Sequence, residues 1–186
     1  TTTRQEIDAR IDAFGAALSD ALKDKLAAVL VYGSLAKGDY SPSASDHNIA
    51  LILTDDHAST LRSVAGVMRD HRPSKRTTLL ILTSEELERA RDVFPLKLRD
   101  LARHNRLVCG SNESLEACEL NSEDLARDCE QQLRGLAIRS RRLFLRGTSN
   151  PDLLRHNLTI SYKGMLPPLA GLIELMTGEE IVIHEQ

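Results

Sequence analysis

An apolar run from Leu26 to Tyr32 ends in Gly33-Ser34, and Lys37-Gly38 follow closely. Glycine has no Cβ, so the backbone can approach a ligand, and the N–H groups and the Ser34 hydroxyl beside it can face an anion. A short loop bearing Gly, Pro and Ser leads to a second apolar run. That run begins in Ser45-Asp46-His47-Asn48 and continues to Leu53. On a strand, side chains two apart share a face, so Asp46 and Asn48 project together beside the Gly-Ser turn, while His47 points to the other face. A phosphate cradle beside a carboxylate suits a hard divalent cation that bridges carboxylate and phosphate oxygens. Gly33 and Gly38 have the spacing of a P-loop, but Asp39 stands where its lysine belongs, so that reading fails. A bare Gly-Ser would suit an ordinary hairpin; the whole run through Leu53, in order, favours a binding site.

At these residues the chain resembles the nucleotidyltransferase superfamily of the polymerase-beta type. Its signature is Gly-Ser, a spacer with a basic residue and glycine, then Ser-Asp-x-Asp leading a strand. Here it reads Gly33-Ser34-Leu35-Ala36-Lys37-Gly38, then Ser45-Asp46-His47-Asn48. The resemblance implies that Gly33 and Ser34 bind phosphates, that Lys37 neutralises phosphate charge and that Asp46 ligates a metal. The ion would be Mg²⁺, or Mn²⁺ in its place, weakly bound. Two acids of the family's triad are replaced: Asn48 holds the second metal position, and Thr78, by alignment of the apolar run, holds the third. An amide offers only a neutral carbonyl oxygen, and a hydroxyl is no strong base at neutral pH. A fainter likeness covers Phe94 to Gly110, where relatives carry an acid near the position of Lys97. Two functions follow from the resemblance. One is Mg²⁺-dependent transfer of a nucleoside monophosphate from an NTP, ATP foremost, to an acceptor hydroxyl, at a weakened rate. The other is a catalytically inactive nucleotide-binding or protein-interaction member, antitoxin-like.

The elements that must position these groups are legible around them. Thr3-x-x-Glu6 is a capping box, and Ile7, Ile11, Phe14, Leu18, Leu22 and Leu26 recur at helical spacing, which predicts an amphipathic helix from Thr3 to Lys25. Strands are expected at Leu26 to Tyr32, His47 to Leu53 and Thr77 to Leu82. Asp55 and Asp56 precede a helical pattern from Ala58 to His71 and read as its cap. Ser84 reads as the N-cap of a helix from Glu85 to Asp92. Arg106 to Gly110 reads as a short edge strand, and Asn112 to Ser122 as a linker. A long helix is expected from Glu123 to Arg146, with Leu125, Cys129, Leu133, Leu136 and Leu143 as its buried stripe. Its arginines make a solvated basic face or, more sharply, a surface for nucleotide phosphates or RNA. Pro151 starts a further helix that Pro167-Pro168 must break or kink, and Ile181 to Ile183 form a strand-like tail.

The pattern predicts an α/β (α+β) chain: a small mixed sheet flanked by helices, residues 1–111, with a C-terminal helical region, residues 122–186. The 186 residues, 41% hydrophobic and 27% charged with a net charge of −3, suit a globular protein and argue against a general nucleic-acid coat. Aromatics are 3% of the chain, too few for a base-stacking platform. Cys109, Cys118 and Cys129 lack the spacing of a zinc site or disulfide framework. No apolar run has membrane-spanning length and no signal peptide precedes the first helix, so a cytoplasmic protein is expected, with a homodimer or a protein partner left open.

Overall fold

The computed structural model describes residues 3–38, 46–116 and 121–181. Ser45, Cys118 and His184 lie outside them. Of the described residues, those within Thr1–Arg91 and Leu98–Glu119 form one compact unit, and those within Asp92–Lys97 and Leu120–Ile183 form another.

The first unit is a four-stranded mixed sheet carrying helices. Helix α1 (Arg4–Leu22) opens it. The Thr3 side chain accepts from the Glu6 N–H while the Glu6 carboxylate accepts from the Thr3 N–H, the reciprocal cap expected from sequence. The helix stops at Leu22, and Lys23–Lys25 form a 3₁₀ turn into β1 (Leu26–Tyr32). A single helical turn, α2 (Ser34–Lys37), follows, then β2 (His47–Leu53), α3 (Ala58–His71), β3 (Thr77–Thr83), α4 (Ser84–Arg89), α5 (Pro95–Arg103), β4 (Asn105–Gly110) and α6 (Glu113–Glu116). Strand order is β3-β2-β1-β4, with β2 and β3 parallel and the other pairs antiparallel, and β4 lies at an edge.

Alternation along the strands divides the apolar residues between two faces. Val29, Val31, Ile49 and Leu51 join Ile11, Phe14 and Leu18 of α1 and Val64 of α3 in one core. On the other face Leu30, Ala50 and Ile52 are also buried. Strands buried on both sides read as continuous apolar runs, which is why β1 and β2 are so plain in the sequence. At the end of β4, Gly110 (φ +85) lies so close to the Ala27 carbonyl that a Cβ would overlap its oxygen, and only glycine fits.

Two caps differ from expectation. The residue at the N-cap of α3 is His57, not Asp55 or Asp56. Asp55 still serves that end, because its carboxylate accepts from the Thr60 hydroxyl (2.6 Å) and the His57 N–H (3.0 Å). The Thr60 bond is the main cause that lowers its pKa to about 2. Helix α4 starts one residue early, capped by Thr83 in a capping box with Glu86, rather than by Ser84.

The second unit is a helical hairpin, α7 (Ser122–Gly147) and α8 (Pro151–Thr177), with the first turn of α5. Leu125 and Cys129 pack with Leu96, Leu172 and Leu175. Farther along, the Ser140 and Ser161 hydroxyls bond at 2.9 Å, and Asn157 Nδ2 donates to the Leu143 carbonyl at 3.0 Å. Helix α8 continues through Pro167 and Pro168 instead of breaking there. Each proline removes one backbone donor, but Pro168, Ala170 and Gly171 are buried, and that packing carries the helix across the gap. Ile181, at the start of the expected tail strand, is not in a strand, and Val182 and Ile183 lie outside the described residues.

Candidate functional site

The Gly-Ser turn is a product of the β1–β2 register. Tyr32 pairs with Asn48 across the antiparallel ladder, so the chain leaves β1 at the end where Asp46 enters β2. Gly33 makes the bend at φ +75, and its carbonyl accepts from the N–H groups of both Ala36 and Lys37, winding α2. The N–H groups of Ser34 and Leu35 precede the first intrahelical bonds and so have no partner within that turn. Gly38 closes the turn in the left-handed region. Arg4 of α1 donates to the Leu35 carbonyl at 2.6 Å, and the Leu35 side chain is buried, so the turn is anchored on both sides.

Asn48 lies against this bend. A Cβ built on Gly33 would stand 3.0 Å from Asn48 Nδ2, which places the carboxamide directly over the glycine. Asn48 also pairs with Thr78 in the parallel β2–β3 ladder. Paired residues share a face, so Asn48 and the exposed Thr78 stand side by side. Asp46, one residue ahead of β2, is exposed at the same end. A neutral amide and a hydroxyl thus occupy adjacent places beside the Gly-Ser bend, with one carboxylate at the strand entry.

His47 points away from them. It is 3% exposed, and its Nδ1 lies 2.8 Å from the Ser74 hydroxyl. Burial lowers its pKa, with Asp46 opposing and Arg76 adding to the shift. The Ser74 hydroxyl also accepts from the Arg76 N–H, so His47 ties the start of β2 to the loop before β3. It is packed, as the alternation of the strand suggests.

Lys37 is held by Asp100 of α5 at 2.5 Å, with both side chains largely covered. Asp100 is absent from the sequence reading. The signal for it was an acid one helical turn beyond Lys97, in a segment that reads equally well as core. Lys37 therefore carries a counter-ion that a phosphate would have to compete with or join.

Among the described residues no group of three or more His, Cys, Asp or Glu side chains is placed to hold a metal ion, and no helix is long and apolar enough to cross a membrane. Asp46 with the Asn48 carbonyl oxygen is a minimal donor set. Those two groups would be the donors open to a cation that arrives with phosphate oxygens of its own, the way Mg²⁺ is commonly held.

No family model matches the chain, and no curated protein matches it. Among solved structures the chain is similar to a toxin-antitoxin crystal structure determined with AMP-PNP. The likeness covers 68% of this chain and 94% of that one, at 16% identity and a TM-score of 0.40. So slight a likeness says nothing about function.

Proposed function

We propose that this chain is a degenerate nucleotidyltransferase-like protein that binds a nucleoside triphosphate weakly with Mg²⁺ and transfers its nucleoside monophosphate slowly to an acceptor hydroxyl. In this reading Gly33 and Ser34 hold phosphate oxygens, Lys37 shares its charge between Asp100 and the phosphates, and Asp46 offers the metal its one carboxylate. The ion supplies charge neutralisation at the phosphates when bound. Asn48 contributes an amide beside the bend, and Thr78 orients water or an acceptor without taking its proton.

The observation that carries the reading is the Asn48 carboxamide lying over Gly33 in register with Thr78. Neutral groups stand beside the Gly-Ser bend where the resemblance expects acids, which favours binding over turnover. The same observation supports a second reading, a nucleotide-binding or protein-interaction member with no transfer at all.

Calorimetric titration with each NTP, with and without Mg²⁺, tests the binding, and labelled-nucleotide transfer assays separate the readings. Weak Mg²⁺-dependent binding with slow labelling supports the first reading. Binding without labelling supports the second. Rapid transfer would overturn the weakened site, and no binding of any NTP would remove both.

A further inference from the structure

Helix α8 carries an apolar stripe that its packing on α7 leaves uncovered. Leu158, Tyr162, Met165, Leu169, Ile173 and Met176 are between 36% and 85% exposed. They recur every three or four residues, the seam spacing of a helix that packs on another helix. These six side chains present on the order of 600 Å² of apolar surface, about three-quarters of one side of a standard protein interface and at the upper end of the largest patch on most monomers.

Charge selects the occupant. The turn end of the hairpin carries Arg139, Arg141, Arg142, Arg146 and Arg155, with Asp152 as the only acid from 137 to 163. The open end carries Glu123, Asp124, Asp128 and Glu130 on α7, of which Asp124 and Glu130 pair with Arg127 and Arg134, and Glu174, Glu179 and Glu180 at the end of α8, so its acids outnumber its bases. The hairpin is basic at one end and acidic at the other. A second copy laid antiparallel on the stripe sets each basic end on an acidic one, whereas a parallel copy sets arginines against arginines.

We propose that α8 pairs antiparallel with α8 of a second copy of this chain, about a twofold axis beside Pro167, to make a homodimer. The stripe is self-complementary in that register. Leu158 meets the partner's Met176, Tyr162 meets the partner's Ile173, and Met165 meets the partner's Leu169. Arg155, 3.6 Å from Asp152 on its own helix, then lies beside the end of the partner's helix, where the partner's Glu179 follows the Gly178 cap. An interface that repeats the same patch on both copies is the form closed twofold dimers take.

Sedimentation velocity over a concentration series, with circular dichroism to confirm folding, tests this. The native chain is expected to be a dimer. Tyr162→Glu, at the middle of the stripe, should weaken it at least about 30-fold, in the range of an interface anchor, with unchanged helix content. Arg155→Glu and Glu179→Arg should each weaken the dimer, and the two together should restore it, which a folding defect would not do. Mixed chains bearing Leu158→Cys and Met176→Cys should cross-link to each other on oxidation more than either does alone, with the native chain as control. A folded monomer at the highest concentration overturns the proposal, whether or not it takes up RNA, lipid vesicles or an acidic helix. So does a dimer indifferent to Tyr162→Glu, or one that cross-links like position to like.

Discussion

At position 48 one formal charge separates the residue present from the acid that a two-carboxylate metal site would carry. Two unit charges at contact distance interact by about 4 kcal/mol at a surface-like dielectric, and solvent screening reduces such a gain to about 1 kcal/mol. Asn48→Asp is therefore expected to tighten Mg²⁺-dependent ATP binding about fivefold, read by calorimetry with and without the ion. If affinity is unchanged, residue 48 does not face the metal. Gly33 sits at φ +75 with Asn48 Nδ2 within 3.0 Å of where its Cβ would be. Gly33→Ala should cost about 1–3 kcal/mol in denaturant unfolding, from backbone strain and contact together. Asn48→Ala in the same chain should return part of the loss, because it removes the contact and leaves the strain. At position 47, burial lowers the imidazole pKa, so the unfolded chain binds a proton more readily than the folded one. The stability that neutral His47 contributes is complete above its unfolded pKa, about 6.5, and is lost as pH falls below that value. His47→Gln should flatten the pH dependence of stability between neutral and mildly acidic pH. An unaltered slope would show that other groups dominate.

Elements were the most legible level, and the reason is local. β1, β2 and α3 have the bounds expected of them, and α7 runs one residue farther at each end. Their apolar spacing and their Ser, Thr, Asn and Pro signals act within a few residues of chain. The misplaced caps show where that locality ends. Asp55 reaches two residues on to the His57 N–H, so a carboxylate near a helix start need not belong to the cap residue itself. The prolines of α8 show a tertiary override. Two lost donors argue for a break, yet the buried seam residues Pro168, Ala170 and Gly171 keep the helix whole. Pro167 is exposed and contributes little to that seam. Pro167→Ala restores a donor to the middle of a helix and should stabilise α8 by about 1–3 kcal/mol. A lower melting temperature in this variant would mean that the proline's fixed geometry is required there.

The whole molecule depends on juxtapositions that no local pattern encodes. The placing of Asn48 beside the Gly33 bend was readable because β1 and β2 are neighbours in sequence and pair with each other. The Lys37–Asp100 pair was not, since it joins two distant elements and the periodicity of α5 does not distinguish a site acid from a solvated one. Apolar periodicity on α8 likewise predicts a face that needs covering but not whether its own chain covers it; only the exposure of Tyr162 and Met176 shows that α7 does not. If a second copy covers that face, folding and association are linked, and the melting temperature depends on concentration because the dimer must dissociate to unfold. Each tenfold rise in concentration then adds half of RT ln 10, about 0.7 kcal/mol per chain. For unfolding of a chain of this size that raises the midpoint by about 2 °C. Scanning calorimetry over two decades of concentration should show a steady upward shift in the native chain and none in Tyr162→Glu. A midpoint independent of concentration in the native chain would mean that the hairpin unfolds as a monomer.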